Sequence, residues 1–177
     1  MTIIVYDPKR QLMIADSRAT SGSRHPIGAK AKIHRIAAGP HKGALLGVSS
    51  RVPGMGEWFR EWVTRGMSKE AFGTSELEVE AILVQVDRSV FFFNENHYPS
   101  GPLESDFFAI GSGREYALGA RKAGADAFRA VEVAISCDLF CGPPIVHLQL
   151  NTPGANQPSM IRRVARLLGN FGSGTAT

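Results

Sequence analysis

The second residue of the chain is a threonine, and its place after Met1 gives it two reactive groups. An initiator methionine ahead of a small residue such as Thr2 is usually removed, which leaves Thr2 with a free α-amine beside its hydroxyl. A hydroxyl and an amine on one residue supply a nucleophile and a base on one scaffold. The unperturbed pKa of a terminal amine is roughly 7.7–8.0, so part of it is unprotonated near neutral pH. Thr2 is therefore a candidate nucleophile, provided that the fold builds a site around it.

A lysine in a short alternating segment is a second candidate. Side chains of a strand point alternately to its two faces, and in the run KIHRI this alternation puts Lys32 on the same face as Ile36. The apolar neighbour predicts that Lys32 points towards the interior. A buried lysine needs an acidic partner, because its charge is costly to remove from water.

Other motifs that carry chemistry are missing from the sequence. The five histidines show no metal-binding spacing such as H-E-x-x-H, and Ser49-Ser50 lacks the G-x-S-x-G elbow. The glycine-rich stretches form neither a phosphate-binding nor a dinucleotide-binding loop. We therefore expect no metal and no cofactor. Cys137 and Cys141 are the only cysteines, which favours a reducing compartment, and their spacing leaves a redox role undecided.

Length and charge limit the classes to which the chain can belong. Its 177 residues suffice for one domain with a substantial core, and 44% of them are hydrophobic and 20% charged, close to the average of globular proteins. The net charge of +4 comes from scattered Lys and Arg without a basic run, which argues against a nucleic-acid partner. No apolar run approaches the roughly 18 residues of a membrane helix, and no signal peptide opens the chain. We expect a cytoplasmic protein that acts away from membranes.

Hydrophobic periodicity predicts strands that occur in clusters rather than in single alternation with helices. The predicted order is a hairpin over 2–16, a loop over 17–29, strands over 32–36 and 42–50, a helix over 51–67, a hairpin over 77–94, a strand over 107–110, helices over 115–122 and 125–140, a strand over 145–150 and a helix over 160–168. The helix over 51–67 is expected to turn Trp58 and Trp62 towards the core. Clustered strands favour an α+β fold of antiparallel sheets with helices packed outside.

Three blocks of sequence, in the same order along the chain, resemble segments of one superfamily. Residues 14–22 (IADSRATSG) are similar to the segment after the first strand of proteasome β subunits. Residues 31–36 (AKIHRI) resemble the matching lysine segment, and residues 108–113 (FAIGSG) with 116–118 (YAL) are similar to the bacterial peptidase HslV. The chain thus resembles the proteasome β subunit and HslV superfamily of N-terminal nucleophile hydrolases, and within it most of all the betaproteobacterial proteasome homologue.

The resemblance implies an architecture. It is a four-layer αββα sandwich, in which two mainly antiparallel sheets lie between helix layers. A single proteasome-like domain is expected over residues 1–171, including an extra helix at about 158–169, and residues 172–177 are expected to form a flexible tail.

The resemblance also implies roles for individual residues. Thr2, after removal of Met1, would be the nucleophile, and its α-amine would be the general base, acting through a water molecule. Lys32 beside that amine would lower the pKa of the amine, and Asp16 would fix Lys32 and offset its desolvation. Ser112, in Gly-Ser-Gly, matches the serine that hydrogen-bonds the terminal amine.

Further site positions follow from the same match. Asp138 matches the family aspartate near that serine, and Cys141 stands where proteasomes usually carry serine, which leaves the hydrogen bonds around it open. Ser50 takes the place of the glycine whose backbone N–H binds the oxyanion, and a backbone donor survives this replacement. A small to medium substrate pocket with a cationic wall, which would favour neutral or acidic side chains, is expected from Ala19, Lys30, Val48 and Val52.

The function that the resemblance implies is that of a self-compartmentalised threonine-type endopeptidase. Peptides or unfolded proteins would be cleaved inside a homo-oligomeric double ring of six or seven subunits per ring, and the sequence leaves an ATPase unfoldase partner open. Two alternatives remain. One is an N-terminal nucleophile amidase that acts on a small molecule, and the other is a catalytically weak ring that binds partners, as Ser50 and Cys141 would allow.

Overall fold

Ten strands and three helices make up the part of the chain that the structure, a computed structural model, describes, namely residues 2–20, 25–68, 78–95 and 97–150. The mixture of antiparallel strands and helices confirms the predicted α+β class. The strands are β1 (Ile4–Asp7), β2 (Leu12–Ala15), β3 (Arg18–Thr20), β4 (Pro26–Ala29), β5 (Ile33–Arg35), β6 (Leu45–Ser50), β7 (Val79–Val84), β8 (Val90–Asn94), β9 (Phe108–Ile110) and β10 (Val146–Gln149). The helices are α1 (Met55–Thr64), α2 (Arg114–Lys122) and α3 (Ala127–Cys137).

The hairpin at the start of the chain forms the centre of the first sheet. β1 and β2 pair antiparallel, with Ile4 opposite Ala15, as their apolar runs predict. The Asp7 carboxylate closes the turn by accepting a hydrogen bond from the backbone N–H of Arg10 at 3.1 Å. β9 and β10 add antiparallel at the two sides, which gives the order β10-β2-β1-β9. The residues on either side of this hairpin are therefore brought to the same end of one sheet.

The second sheet has the strand order β5-β6-β7-β8, and all of its neighbours are antiparallel. Its β7–β8 pair is the second predicted hairpin. Gly47, in the middle of β6, marks a close approach to the first sheet, because a Cβ on it would lie 2.8 Å from Cγ2 of Ile4. That distance is shorter than side chains tolerate, so glycine lets the two sheets pack together here.

Three hydrophobic clusters hold these elements together. The first combines side chains of both sheets, among them Ile4, Met13, Ile33, Leu45 and Ile82. The second joins the second sheet to α1, and the third joins the first sheet to α2 and α3. Because both faces of each sheet are covered, the strands are apolar in near-continuous runs rather than in strict alternation.

The segment predicted as a loop over 17–29 contains two short strands, which corrects that prediction. β3 and β4 pair antiparallel, with Arg18 opposite Ala29. The ribbon is fixed at its base, where the carbonyl of Ser17 accepts the N–H of Lys30 at 2.8 Å and the carbonyl of Gly142 accepts the N–H of Arg18 at 3.2 Å. The Ser, Gly and Pro content of the segment indicates a loop, whereas these long-range contacts leave no pattern in the sequence.

Helix α3 ends at Cys137, before the predicted end at 140. The next residue, Asp138, has an extended backbone with φ −99° and ψ 115°. Its carboxylate accepts the backbone N–H of Phe140 at 2.9 Å, and such a local bond competes with helical hydrogen bonding. At the other end, the Asp126 carboxylate caps the helix by accepting the N–H of Arg129 at 2.8 Å.

Helix α1 buries one of its two tryptophans. Trp62 packs against Phe93 of β8 with a ring-centroid distance of 6.2 Å, and Phe59 packs against the same ring at 5.2 Å. Trp58 is 39% exposed, so the expectation that both tryptophans face the core is wrong for Trp58.

The C-terminal helix predicted at about 158–169 and the tail over 172–177 lie outside the described residues. Among the helices that are described, none is long and apolar enough to cross a membrane.

Candidate active site

Thr2 lies two positions before the first residue of β1 and is only 1% exposed. Its side-chain hydroxyl donates a hydrogen bond to Oδ1 of Asp16 at 2.6 Å. Its backbone nitrogen donates to Oγ of Ser112 at 3.2 Å, and its carbonyl accepts the N–H of Gly113 at 3.1 Å. The polar atoms of Thr2 are therefore held from two sides, by the end of β2 and by the turn between β9 and α2.

That turn, residues 111–113 (the 111–113 loop), needs glycine at its first position. Gly111 has φ +92°, a conformation that is strained for residues with a side chain. A Cβ on Gly111 would lie 2.3 Å from the carbonyl oxygen of Thr2 and 2.7 Å from its Cγ2. The loop therefore rests directly on Thr2, and its position sets where the Thr2 backbone lies.

Asp16 is fully buried and accepts hydrogen bonds on both carboxylate oxygens. Besides the Thr2 hydroxyl, Oδ1 accepts the backbone N–H of Ile3 at 3.0 Å and Nζ of Lys32 at 2.8 Å. Oδ2 accepts the backbone N–H groups of Arg18 at 3.2 Å and of Gly142 at 3.0 Å. A carboxylate with this many donors is fixed in orientation.

Lys32, immediately before β5, is 5% exposed and forms a buried ion pair with Asp16 at 2.8 Å. Burial lowers the pKa of Lys32 from its ordinary value, and the charge and hydrogen bond of Asp16 oppose that shift. The ammonium and the Thr2 hydroxyl bind the same oxygen, so the positive charge lies beside the hydroxyl. The structure thus brings together Thr2, Asp16 and Lys32, the three residues on which the predicted chemistry depends.

Ser112 connects Thr2 to a second carboxylate, that of Asp138. The Cys141 thiol donates to Oδ2 of Asp138 at 3.2 Å, and its sulfur lies 4.0 Å from Oγ of Ser112. Burial would raise the pKa of Asp138, but hydrogen bonds from Ser112, Phe140 and Cys141 lower it below its ordinary value.

Cys141 is buried and remains a thiol. Burial, followed by the negative charge of Asp16 and the hydrogen bond to Asp138, raises the pKa of Cys141 far above that of an exposed cysteine. The structure therefore gives Cys141 a hydrogen-bonding role in the place where the resemblance expects serine. Cys137, by contrast, is exposed, and neither cysteine forms a disulfide.

A cleft of about 870 Å³ opens beside Ser112, between the β6–β7 end of the second sheet and the start of α2. Ser50, the predicted oxyanion position, lines this cleft together with Gly111 and Ser112. Its hydroxyl accepts the N–H of Val52 at 3.0 Å. Ser50 and the first two residues of the 111–113 loop therefore line the same cleft.

The four predicted pocket residues lie elsewhere. Val48 is buried in the cluster between the second sheet and α1, Val52 is exposed before that helix, and Ala19 is on β3. Lys30 follows β4, and its Nζ is paired with the Glu57 carboxylate on α1 at 3.0 Å. None of the four is among the residues that line the 870 Å³ cleft, and the charge of Lys30 is compensated.

Glu80 is a residue of this region that the sequence does not single out. Its carboxylate, on β7, accepts the backbone N–H of Gly111 at 2.8 Å and the guanidinium of Arg114 at 2.6 Å. The one signal in the sequence is a charged residue two positions before Ile82, on the strand face whose other residues pack between the two sheets. The partners lie more than thirty positions away, so the sequence cannot identify them.

The residues that the structure describes contain no group of three or more His, Cys, Asp or Glu side chains able to hold a metal ion. What the site does contain is a hydroxyl beside a buried ammonium–carboxylate pair, and a backbone nitrogen bound by a serine. Such an arrangement suits nucleophilic attack on an acyl carbon, because the cation stabilises a developing alkoxide and the nitrogen, once it is a free amine, can accept a proton.

Comparison with known proteins gives matches in structure and none in sequence. The chain matches no protein-family model, and no curated protein matches its sequence. Eukaryotic HslV from Trypanosoma brucei superposes with a TM-score of 0.60 at 20% identity, over 83% of this chain and 98% of that one. BPH, the bacterial proteasome homologue of Thiobacillus denitrificans, superposes in complex with epoxomicin with a TM-score of 0.62 at 14% identity, over 86% and 100% of the two chains.

A second structure of BPH gives a TM-score of 0.58 at 15% identity, over 85% of this chain and 99% of that one. At identities this low the likeness concerns the fold alone. It agrees with the order of the sequence blocks that resemble proteasome β subunits and HslV. The chain therefore has the fold of HslV and of the bacterial proteasome homologue.

Proposed function

We propose that the chain is a threonine-type peptidase whose nucleophile is Thr2, with its α-amine freed by removal of Met1. The observation that carries this proposal is the buried contact of the Thr2 hydroxyl with the Asp16–Lys32 ion pair, 2.6 Å from hydroxyl to carboxylate. The HslV-like fold supports it, because in this chain that fold buries Thr2 against Gly111 and Ser112, two residues that line the cleft.

In the first half of the reaction, the Thr2 oxygen attacks the carbonyl carbon of a peptide bond. The hydroxyl proton passes to the Thr2 amine through a water molecule and then to the leaving amine, and the bond that forms is an acyl ester on Thr2. Lys32 keeps its proton and stabilises the alkoxide by charge, while Asp16 fixes both groups. The position of Lys32 also disfavours a second ammonium, which lowers the pKa of the Thr2 amine.

In the second half, water activated by the same amine hydrolyses the ester and frees the Thr2 hydroxyl. Ser112 orients the amine through its Oγ, which lies 3.2 Å from the Thr2 nitrogen. Ser112 in turn is held by a hydrogen bond to Asp138 and by its contact with the Cys141 sulfur. The backbone N–H of Ser50 is the proposed oxyanion donor, since Ser50 lines the same cleft as Gly111 and Ser112.

We propose that the substrate side chain before the cleaved bond binds near Ala19, Lys30, Val48 and Val52, outside the 870 Å³ cleft, with a preference for neutral side chains. The sequence favours neutral or acidic side chains because of Lys30. In the structure the Lys30 ammonium is paired with the Glu57 carboxylate at 3.0 Å, so its positive charge no longer favours an acidic substrate side chain. The substrates would be peptides or unfolded proteins.

The larger organisation follows from the same resemblance and is also a proposal. Three clusters, one between the sheets and one on the outer side of each sheet, support a four-layer αββα sandwich. We propose a cytoplasmic, homo-oligomeric double ring of six or seven subunits per ring with Thr2 facing an inner chamber. An ATPase unfoldase that feeds this chamber is part of the same proposal.

The test is peptide turnover by the full chain and by its Thr2→Ala variant. The intact mass should show loss of Met1, and wild-type protein should hydrolyse fluorogenic peptides with neutral side chains. Thr2→Ala should lower kcat/KM at least about 10³-fold, because it removes the nucleophile. Epoxomicin, which is bound to BPH in one of the solved structures, should inhibit the processed wild-type chain.

Thr64→Ala is the matched control, since Thr64 is a half-buried threonine at the end of α1 whose hydroxyl donates a hydrogen bond to the Arg60 carbonyl. It should leave turnover unchanged. Retention of Met1, or turnover that survives Thr2→Ala, would contradict the proposal. Hydrolysis of small amides alone would favour the amidase, and a processed assembly without any turnover would favour the binding ring.

A further inference from the structure

Glu80 occupies an unusual place for a carboxylate. On β7 it lies opposite Ser49 of β6 and Asn94 of β8, at the end of the strand that borders the cleft. Ile82 and Val84, which follow it on the same face, belong to the cluster between the two sheets. Its side chain is 17% exposed, so Glu80 lies at the rim of the inter-sheet core and faces the first sheet.

Both carboxylate oxygens of Glu80 are used, and they bind at the two ends of the 111–113 loop. One accepts the backbone N–H of Gly111 at 2.8 Å, directly after β9. The other accepts the guanidinium of Arg114, the first residue of α2, at 2.6 Å. A negative charge at the start of α2 is also favoured by the helix dipole. Glu80 therefore holds the loop from the second sheet, whereas β9 holds it from the first.

The other side of this loop rests on the candidate nucleophile. Ser112 binds the Thr2 nitrogen at 3.2 Å, Gly113 binds the Thr2 carbonyl at 3.1 Å, and the open space at Gly111 admits that carbonyl. A shift of the loop therefore moves Ser112 relative to the Thr2 nitrogen. Misplacement of a reacting group by about 1 Å costs on the order of 10²-fold in rate.

We infer that Glu80 is a positioning residue for the reaction, which locks the 111–113 loop onto Thr2 and thereby fixes the Thr2 amine relative to its hydroxyl. It acts through Gly111, Ser112 and Arg114 rather than by contact with the reacting atoms. The kinetic side of this inference rests on the proposed function, while its structural side does not.

Glu80→Met tests the inference in the full chain, because it keeps the length of the side chain and removes both acceptors. The first measurement is hydrogen exchange of the Gly111 and Gly113 amides, resolved by mass spectrometry. Both amides should exchange about 10-fold faster, since Gly113 reports the contact with Thr2 and Gly111 the contact with Glu80. Faster exchange at Gly111 alone would overturn the inference, because the loop would then hold Thr2 without Glu80.

Kinetics supply the second measurement. Glu80→Met should lower kcat about 10²-fold and leave KM within about 2-fold. The acid limb of kcat/KM should move to lower pH, because a displaced Ser112 no longer stabilises the protonated Thr2 amine. Glu80→Gln, which retains one acceptor for Gly111, should recover part of the loss in kcat. An unchanged kcat and an unchanged pH profile would overturn the inference.

Arg114→Met and Glu61→Met complete the series. Arg114→Met removes one of the two contacts of Glu80, so its amide exchange rates and its kcat should lie between those of wild type and of Glu80→Met. If Glu80→Met does not fold, Arg114→Met and Glu80→Gln together test the inference. Glu61→Met breaks the exposed pair of Glu61 with Arg65 on α1 and should change neither exchange nor kcat. If wild-type protein shows no turnover while Glu80→Met still speeds exchange at both amides, the proposed function fails and the positioning by Glu80 stands.

Discussion

At the scale of single residues, one carboxylate binds both the candidate nucleophile and the buried cation. Asp16 receives the Thr2 hydroxyl, the Lys32 ammonium and three backbone N–H groups. The three backbone N–H groups still bind the Asp16 carboxylate when Lys32 is replaced, whereas the charge and hydrogen bond of Asp16 oppose the effect of burial on Lys32. The two members of the pair should therefore respond differently to substitution.

Asp16→Ala should lower the free energy of unfolding by about 3–5 kcal/mol, because it removes the charge and hydrogen bond of Asp16 that oppose the cost of burying Lys32. Lys32→Met should cost less, since Asp16 keeps its other donors. Both variants should lose turnover, and urea unfolding followed by circular dichroism measures the difference in stability. An equal or larger loss for Lys32→Met would contradict this account of the pair.

The lowered pKa of His34, on β5, predicts how the free energy of unfolding depends on pH. Burial is the main cause that lowers the pKa of His34 from 6.5 to about 4 in the folded state, and the charge of the Arg60 guanidinium is the second. As pH falls below 6.5, the unfolded chain binds a proton that the folded chain does not, so the free energy of unfolding should fall by about 1–3 kcal/mol down to pH 4. Urea titrations across this range should show a shallower slope for His34→Gln, and an unchanged slope would contradict the assignment.

At the scale of elements, the turn from β9 into α2 determines where Thr2 lies. Gly111 combines φ +92° with a contact that excludes a side chain. Gly124, after α2, has nearly the same φ, +95°, but a Cβ added to it would have no atom within 4 Å. A comparison of substitutions at the two glycines therefore distinguishes the effect of backbone strain from the effect of contact with Thr2.

Gly124→Ala should cost about 1–2 kcal/mol from strain alone and leave turnover unchanged. Gly111→Ala should cost more and should also lower kcat at least about 10²-fold, because its Cβ displaces the Thr2 carbonyl. Thermal unfolding and peptide turnover measure the two effects. Equal turnover in the two variants would show that the loop does not position Thr2.

The elements also show how far sequence patterns reach. Period and turn residues predict the two hairpins, α1 and α2, and an inward-facing Lys32 before β5, since each depends on neighbours within a few positions. They miss the β3–β4 ribbon and the binding of the 111–113 loop by Glu80, because both depend on hydrogen bonds between distant residues. The early end of α3 at Asp138 reflects one side-chain bond that overrides helix propensity.

At the scale of the whole molecule, the candidate site is assembled from both sheets. Thr2, Asp16 and Ser112 lie at strands of the first sheet, and Lys32 and Glu80 at strands of the second. Composition and strand order predict an α+β fold with antiparallel sheets. The order of the sequence blocks indicates which residues form the site. The distances between these residues follow only from the packing of the two sheets.

The proposed assembly makes a prediction about mass. Native mass spectrometry of the full chain should give a homo-oligomer whose subunit number is a multiple of six or seven, because closed rings have exact rotational symmetry. The measurement also selects between the two ring sizes. A monomer at micromolar concentration would contradict the ring and, with it, the idea of an enclosed chamber.

Asp16 and Lys32 come from different sheets, so their ion pair forms only when the two sheets pack together. Asp16 ends the hairpin of the first sheet, and Lys32 opens the second. A chain whose sheets have not yet docked has the threonine but lacks the cation beside it. Under the proposed function, the charge beside the Thr2 hydroxyl is in place only where the two sheets are packed together, so a copy with separated sheets would lack the complete site.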